Sequence, residues 1–177
     1  MYILSQILVV ISGILFALSY LTKKKSLLLL LNVFNNLFFG CHFLLLKSFT
    51  AAYSVFLTIA FFIAIYLLEK YKKEKFSFVV VIISLLILIP ITVFTWCGML
   101  SLMPTIAVLI TFVGSGFKST LTVKLFYFVS TTLNTIFMFI IHSYFGFGVN
   151  VCILIAAIIG IIKEIHLIKN ERLFNKS

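Results

Sequence analysis

The chain contains no aspartate, and its four glutamates (Glu69, Glu74, Glu164 and Glu171) stand among basic residues, at or beyond the ends of the long apolar runs. Only 10% of its 177 residues are charged, where a soluble domain carries roughly a quarter. So little charge cannot cover a water-facing surface. With 63% hydrophobic residues and a mean hydropathy of +1.28, the solvent must be lipid. The lack of an acid inside the apolar runs argues against proton or sodium coupling, which usually keeps an ionisable residue deep in the membrane. Paired acids, a phosphate-cradling glycine loop and a nucleophile–base pairing are also missing, so the chain does not read as an enzyme. Cys41, Cys97 and Cys152 show no CxxC or CxxxC spacing and are read as small buried hydrophobes. His42, His142 and His166 fall on different sides or depths, so neither a metal site nor a cofactor is expected. The net charge of +10 could suggest nucleic acid, but the basic residues form short clusters between apolar runs. Nucleic acid is therefore excluded as a partner.

What is present is a series of seven apolar stretches: 3–22, 27–46, 50–69, 76–96, 99–116, 120–141 and 146–168. A helix needs about 20 apolar residues to cross a bilayer. The stretches are continuously apolar, not alternating, which excludes β-barrel spans. In lipid a helix satisfies its own backbone. The expected fold is thus all-α and polytopic, one membrane domain over 1–177 with a short tail at 169–177. Residues 3–22 have no positive charge in front and Lys23, Lys24 and Lys25 behind. That is the reverse of a secretory signal, so they read as a retained helix.

Seven spans divide the loops into two sets. One set holds Lys23, Lys24 and Lys25, then Lys70, Lys72, Lys73 and Lys75, then Lys118 and Lys124, then Lys163, Lys169, Arg172 and Lys176; the other holds Lys47 alone. Basic residues mark the cytoplasmic side. The bias puts the N-terminus outside and the C-terminus in the cytoplasm. Trp96, Tyr53 and Tyr144 would then lie at the outer interface, with Tyr20, Tyr66 and Tyr71 at the inner one.

An N-out chain of seven spans suggests a 3+1+3 plan. Sliding 3–71 onto 98–166, an offset of 95, lays the first three spans on the last three without a gap. Lys23 meets Lys118, Ser48 meets Ser143, Glu69 meets Glu164, and Lys47 meets His142. Both triplets start outside, so the repeat is parallel: the first repeat at 3–71, an inverting linker helix at 76–96, and the second repeat at 98–168. Repeats of this kind place a transporter's substrate site at midplane between the halves.

The 3+1+3 plan resembles the SWEET and PQ-loop transporters and the nicotinamide riboside carriers. The segments FLLLKSFTAAYS (43–54) and TWCGMLSLMPTIAVLI (95–110) resemble the YgjV-type bacterial inner-membrane proteins. That resemblance covers nearly the whole chain and implies a fold and a bacterial inner-membrane location, not a substrate. SWEET-type proteins use a proline in the first helix of each triplet as a bend. Pro104 is similar in place, the first span has none, and Pro90 falls in the linker, so these two are the candidate hinges. The SWEET group also uses asparagines in its third and seventh helices. Asn150 lies in the seventh span, but near its outer end and with Val55 as its offset partner, and it is left out of the site.

Inside the second span, residues 32, 35, 36, 39 and 42 recur at the three-four spacing that gathers on one helix face. Asn32, Asn35, Asn36 and His42 thus form a polar stripe around Phe39. The sixth span carries a counterpart at the same offset: Tyr127, Ser130, Thr131, Asn134 and Phe137. A polar stripe cannot face lipid, where each unpaired group costs several kcal/mol. Two functions follow. In one, the stripes line the path of a small uncharged or zwitterionic polar solute in a transporter or facilitator. In the other, they bond helices together in a non-transporting membrane protein, a receptor-like binder or a structural partner of other subunits. Assembly into a homo-oligomer stays open.

Overall fold

The computed structural model describes residues 2–96 and 98–174; Cys97 and Lys176 lie outside them, as do the side chains of Glu74, Glu171 and Arg172. The described residues form seven α-helices and no strand: α1 (Tyr2–Leu21), α2 (Lys25–Leu45), α3 (Phe49–Lys70), α4 (Ser77–Phe94), α5 (Leu102–Ser115), α6 (Thr120–Ile140) and α7 (Tyr144–Phe174). Short 3-10 turns at Glu74–Phe76 and Met99–Ser101 lead into α4 and α5. Six helices are long and apolar enough to cross a bilayer, and the remaining one, Met99–Ser115 with its 3-10 turn, is shorter. Pro104 accounts for the shortening. It is the third residue of α5, it has no N–H, and its ring would strike the carbonyl of Leu100 in a continuing α-helix. The chain before it therefore coils as a 3-10 turn. Pro104 thus marks a helix start, whereas Pro90 is an exposed residue inside α4. There it leaves the Leu86 carbonyl without its N–H partner.

Helix α1 packs between α2 and α7, α2 reaches α3, α3 reaches α5, α5 packs on α6, and α6 returns to α7. Six helices thereby close a ring. Helix α4, whose mean hydropathy of 2.9 is the highest of the spans, stays outside it against α3 and α5. Hydroxyls tie it there: Thr92 to Thr105 of α5 at 3.0 Å, and Thr50 of α3 donating to the Thr95 carbonyl.

The two triplets share their local geometry at the offset of 95. After α2, Lys47 adopts φ 58°, Ser48 N donates to Phe43 O at 3.0 Å and Lys47 N to Leu44 O at 3.0 Å. After α6, His142 adopts φ 58°, Ser143 N donates to Met138 O at 2.9 Å and His142 N to Phe139 O at 3.1 Å. Both are Schellman closures, built without the glycine that usually fills the left-handed position. Helices α2 and α6 also begin and end 95 residues apart. Lys47→Gly is expected to raise stability by about 1 kcal/mol by relieving the Cβ clash, and Lys47→Val to lower it. Thermal unfolding in detergent reads both.

Two apolar clusters stack along the ring axis. At the lysine-rich end lie Tyr20, Leu28, Phe61, Phe62, Phe112 and Tyr127; at the other end lie Val9, Phe39, Phe43, Val55, Phe137 and Met138. Tyr20 is therefore a core residue, 1% exposed, and not the interfacial anchor expected. The cysteines also differ from expectation: Cys41 is half-buried and Cys152 exposed. Their outward flank is hydrocarbon, which a thiol tolerates as well as a core.

Helices α1 and α7 approach closely at Gly13 and Gly160. A Cβ on Gly13 would meet Val149, and one on Gly160 would meet the Tyr20 backbone carbonyl, which cannot swing away. Gly160→Ala is expected to cost about 1–3 kcal/mol through overpacking. Gly148→Ala, whose Cβ would meet nothing within 4 Å, should be neutral or stabilising by up to about 1 kcal/mol. Melting curves of the two variants separate helix propensity from helix contact.

Candidate functional site

Midway along the ring, between the two apolar clusters, lies a cavity of ≈ 50 Å³. A dry engineered cavity of about 150 Å³ takes benzene, so this one holds a few waters but not a ring. Its polar lining comes from α2 and α6: Asn32, Asn35 and Asn36 on one, Tyr127, Ser130, Thr131 and Asn134 on the other. His42 is not part of it. The histidine is fully buried between α1 and α2, one turn beyond Phe39, with Nδ1 at 2.9 Å from Ser5 O and 2.8 Å from Ser5 Oγ. The three-four spacing fixes its direction, but at that height the neighbour is α1, not the cavity. Phe137 likewise belongs to the apolar cluster at the lysine-poor end.

The lining is paired at the offset of 95. Asn32 answers Tyr127, Asn35 answers Ser130, Asn36 answers Thr131, and Phe39 answers Asn134; from the other helices, Phe16 answers Thr111, Val55 answers Asn150, and Thr58 answers Ile153. Fourteen of the seventeen lining residues fall into these seven pairs. The one-helix stripes reveal only half of this. Asn150, a single amide on an apolar stretch of α7, leaves no periodic signal, whereas Ser12 stands in a seven-residue series with the buried Ser5 and Ser19 that the two stripes do not include. Asn150, set aside because it lies near the helix end, is seven positions into α7 as counted from Tyr144, about 9–10 Å deep, and lines the cavity.

Hydrogen bonds hold most of these groups. Ser12 Oγ donates to Asn35 Oδ1 at 2.6 Å, Thr111 Oγ1 to Ser130 Oγ at 2.9 Å, and Ser130 Oγ to Ala107 O at 2.8 Å. The Ser115 and Tyr127 hydroxyls lie 2.8 Å apart. Asn32 and Asn36 each donate one N–H to the carbonyl a turn back on α2, at 2.8 and 2.6 Å. Each amide keeps a second N–H and its carbonyl oxygen for another partner. Asn150 Nδ2 is buried and has no partner at all. In the belt, the short side-chain bonds stay within one triplet, and the bond joining the triplets, Tyr20 to Thr131, is the longest at 3.3 Å. The lining offers hydroxyls and amides but no carboxylate, amine, thiol or imidazole. Among the described residues, no group of three or more His, Cys, Asp or Glu side chains could hold a metal ion.

An unpaired buried amide costs about 1–3 kcal/mol. Asn150→Leu is therefore expected to raise the melting temperature of the ligand-free protein. Ser12→Ala, which strips Asn35 Oδ1 of its donor, should lower it by about 1 kcal/mol. Both are read by thermal unfolding in detergent.

An apolar seven-helix chain with a small cavity at mid-height, lined by amides and hydroxyls, fits an integral membrane protein. A family model described as bacterial inner membrane protein, Imp-YgjV, matches residues 3–167. The chain belongs to that family. Neither a curated protein nor a solved structure matches it.

Proposed function

We propose that this protein carries a small polar solute, uncharged or zwitterionic, across the bacterial inner membrane, with its site in the mid-height cavity between two parallel helix repeats. The observation that carries the reading is the lining itself, seven residue pairs at one offset around a space with no ionic side chain. A charged solute would find no counter-ion there, whereas a neutral one finds amide N–H and hydroxyl groups in place of water. The unpartnered Asn150 amide is the kind of group retained for a ligand at a cost in stability. The lining lacks the acid–base or nucleophilic pairs that chemistry needs, which favours a non-enzymatic role.

The cavity as it stands has room for a few waters, and a larger solute is seated only when the apolar clusters part. Phe43 and Phe137, 6.0 Å apart, close the lysine-poor side. Phe61 with Phe112 at 4.3 Å, and Phe62 with Tyr127 at 5.9 Å, close the other. Access alternates when the triplets rock and the two clusters open in turn. In the belt the short bonds lie within each triplet and Tyr20–Thr131 at 3.3 Å joins the two, while Lys25 Nζ to Phe117 O at 2.7 Å and Thr50 Oγ1 to Ser101 Oγ at 3.5 Å join them nearer the ends; so few ties favour rigid-body motion. Pro104 would act at the junction where α5 begins, and Pro90 in the linker α4. The lysine bias orients the chain with its N-terminus outside.

A second reading has its own support. Ser12–Asn35 and Thr111–Ser130 are the interhelical bonds that a purely structural belt would make, each worth about 0.6–2 kcal/mol. Two measurements decide. In a background without native cysteines, Asn35→Cys and Asn134→Cys should react with a membrane-impermeant thiol reagent. A thermal-shift screen over sugars, nucleosides, vitamins and amino acids should find a stabilising solute, about 2.7 kcal/mol at a hundred times its Kd. That stabilisation should vanish in the Asn35→Leu, Asn134→Leu double variant. Unreactive cysteines with no stabilising solute would establish the structural belt instead.

A further inference from the structure

A second cavity, ≈ 350 Å³, opens at the lysine-rich end between α1, α6 and α7. It is separate from the polar belt and serves no step of solute passage. Lys23, Lys163 and His166 line it, with Leu21 and Leu167. Its floor is the ion pair between Lys124 Nζ and Glu164 Oε2 at 2.8 Å, whose side chains are 2% and 15% exposed. That pair is internally neutral: the lysine would be an uncompensated buried cation without it, and Glu164 is the only acid in the lining.

The rim is different. Helices α1 and α7 run in the same direction and touch most closely where Gly160 meets the Tyr20 carbonyl. Lys23 and Lys163 each stand three residues beyond that contact, towards the same end. Lys23 and Lys163, both exposed, therefore stand at the rim of the same cavity. Lys23, Lys163 and His166 line it, and none makes a hydrogen bond or ion pair among the described residues. Converging like charges repel, and the repulsion is relieved by an anion. The leucines beside them are apolar and border hydrocarbon, Leu21 being 48% exposed. A free phosphate would use the lysines and leave the leucines idle. A lipid phosphate uses both, with its headgroup on the lysines and its acyl chains over the leucines.

We infer that this cavity binds the phosphate headgroup of an anionic phospholipid, held by Lys23 and Lys163 and seated at the α1–α7 contact. Basic pockets between transmembrane helices take such headgroups by this charge-plus-apolar match. The test uses the full-length protein in detergent, titrated with phosphatidylglycerol or phosphatidylcholine and followed by native mass spectrometry and melting temperature. Phosphatidylglycerol should be retained and should stabilise the protein, and phosphatidylcholine should not. Lys23→Gln with Lys163→Gln, both at the solvent-facing rim and so safe for folding, should weaken retention on the order of tenfold. Lys72→Gln with Lys73→Gln, at the same end but outside the cavity, should leave it unchanged. Equal loss in both double variants would reduce the effect to general surface charge and overturn the assignment. Displacement of the lipid by millimolar inorganic phosphate would overturn the lipid as the ligand and leave a free-anion site.

Discussion

In hydrocarbon nothing outside the protein accepts a hydrogen bond, and that constraint organises this molecule. A polar side chain on a lipid-facing surface costs several kcal/mol. Helices α2 and α6 carry polar residues at mid-height, so each must turn that face inward. Helices α1, α3, α5 and α7 contribute Ser12, Thr58, Thr111 and Asn150 to the same level. The ring is the arrangement in which six helices hide one polar belt together. Helix α4 contributes no residue to that lining. Its buried hydroxyls, Ser84 and Thr92, face the helices it rests on, and it remains outside.

The belt and the apolar clusters divide the labour. Aromatic and aliphatic residues lie above and below the cavity, and among them Tyr20 and Tyr127 are hydrogen-bonded, to Thr131 and Ser115. The polar groups bond mainly to their own triplet, through Ser12–Asn35 on one side and Thr111–Ser130 on the other. Each half is therefore internally tied. Between the halves lie apolar contacts, the glycine approach of α1 to α7, the long Tyr20–Thr131 bond at the belt, and bonds nearer the ends from Lys25 to the Phe117 carbonyl and from Thr50 to Ser101. Apolar contacts can slide in small steps, whereas hydrogen bonds in a dry interior break all at once. The weaker seam is thus the one that separates the triplets.

Periodicity made the spans and the α2 and α6 stripes legible, because a 3.6-residue repeat of polar positions leaves a visible pattern. It did not reveal Asn150, a lone amide on an apolar stretch, or Thr111, which shares α5 with Thr105 and Ser115 but forms no stripe like those of α2 and α6. The offset of 95 maps Asn150 onto the apolar Val55 and Thr111 onto the apolar Phe16, which counted against Asn150 in the sequence although both members of each pair line the cavity. His42 was misplaced for the converse reason. Spacing along one helix gives a direction but not the neighbour met at each height, and Ser5 of α1 occupies that place. Tyr20 misled in the same way: closeness to three lysines suggested an interface, while its face of α1 points at Thr131. The shortness of α5 was legible in Pro104, whose missing N–H sets where the α-helix can begin.

The two halves share a backbone but not a lining. The turns after α2 and α6 repeat bond for bond, down to a left-handed residue that is not glycine. Yet at the matching cavity positions one half presents Asn32, Asn35 and Asn36, and the other Tyr127, Ser130 and Thr131. A belt needed only to bond helices together could have kept the same side chains in both halves, because symmetric positions have the same bonding problem. The walls differ position by position: the amides of Asn32, Asn35 and Asn36 answer the hydroxyls of Tyr127, Ser130 and Thr131, whereas the apolar Phe39 and Val55 answer the amides of Asn134 and Asn150. On the transport reading, that asymmetry gives a solute one preferred orientation, and the symmetric backbone gives the rocking motion that opens the site to either face.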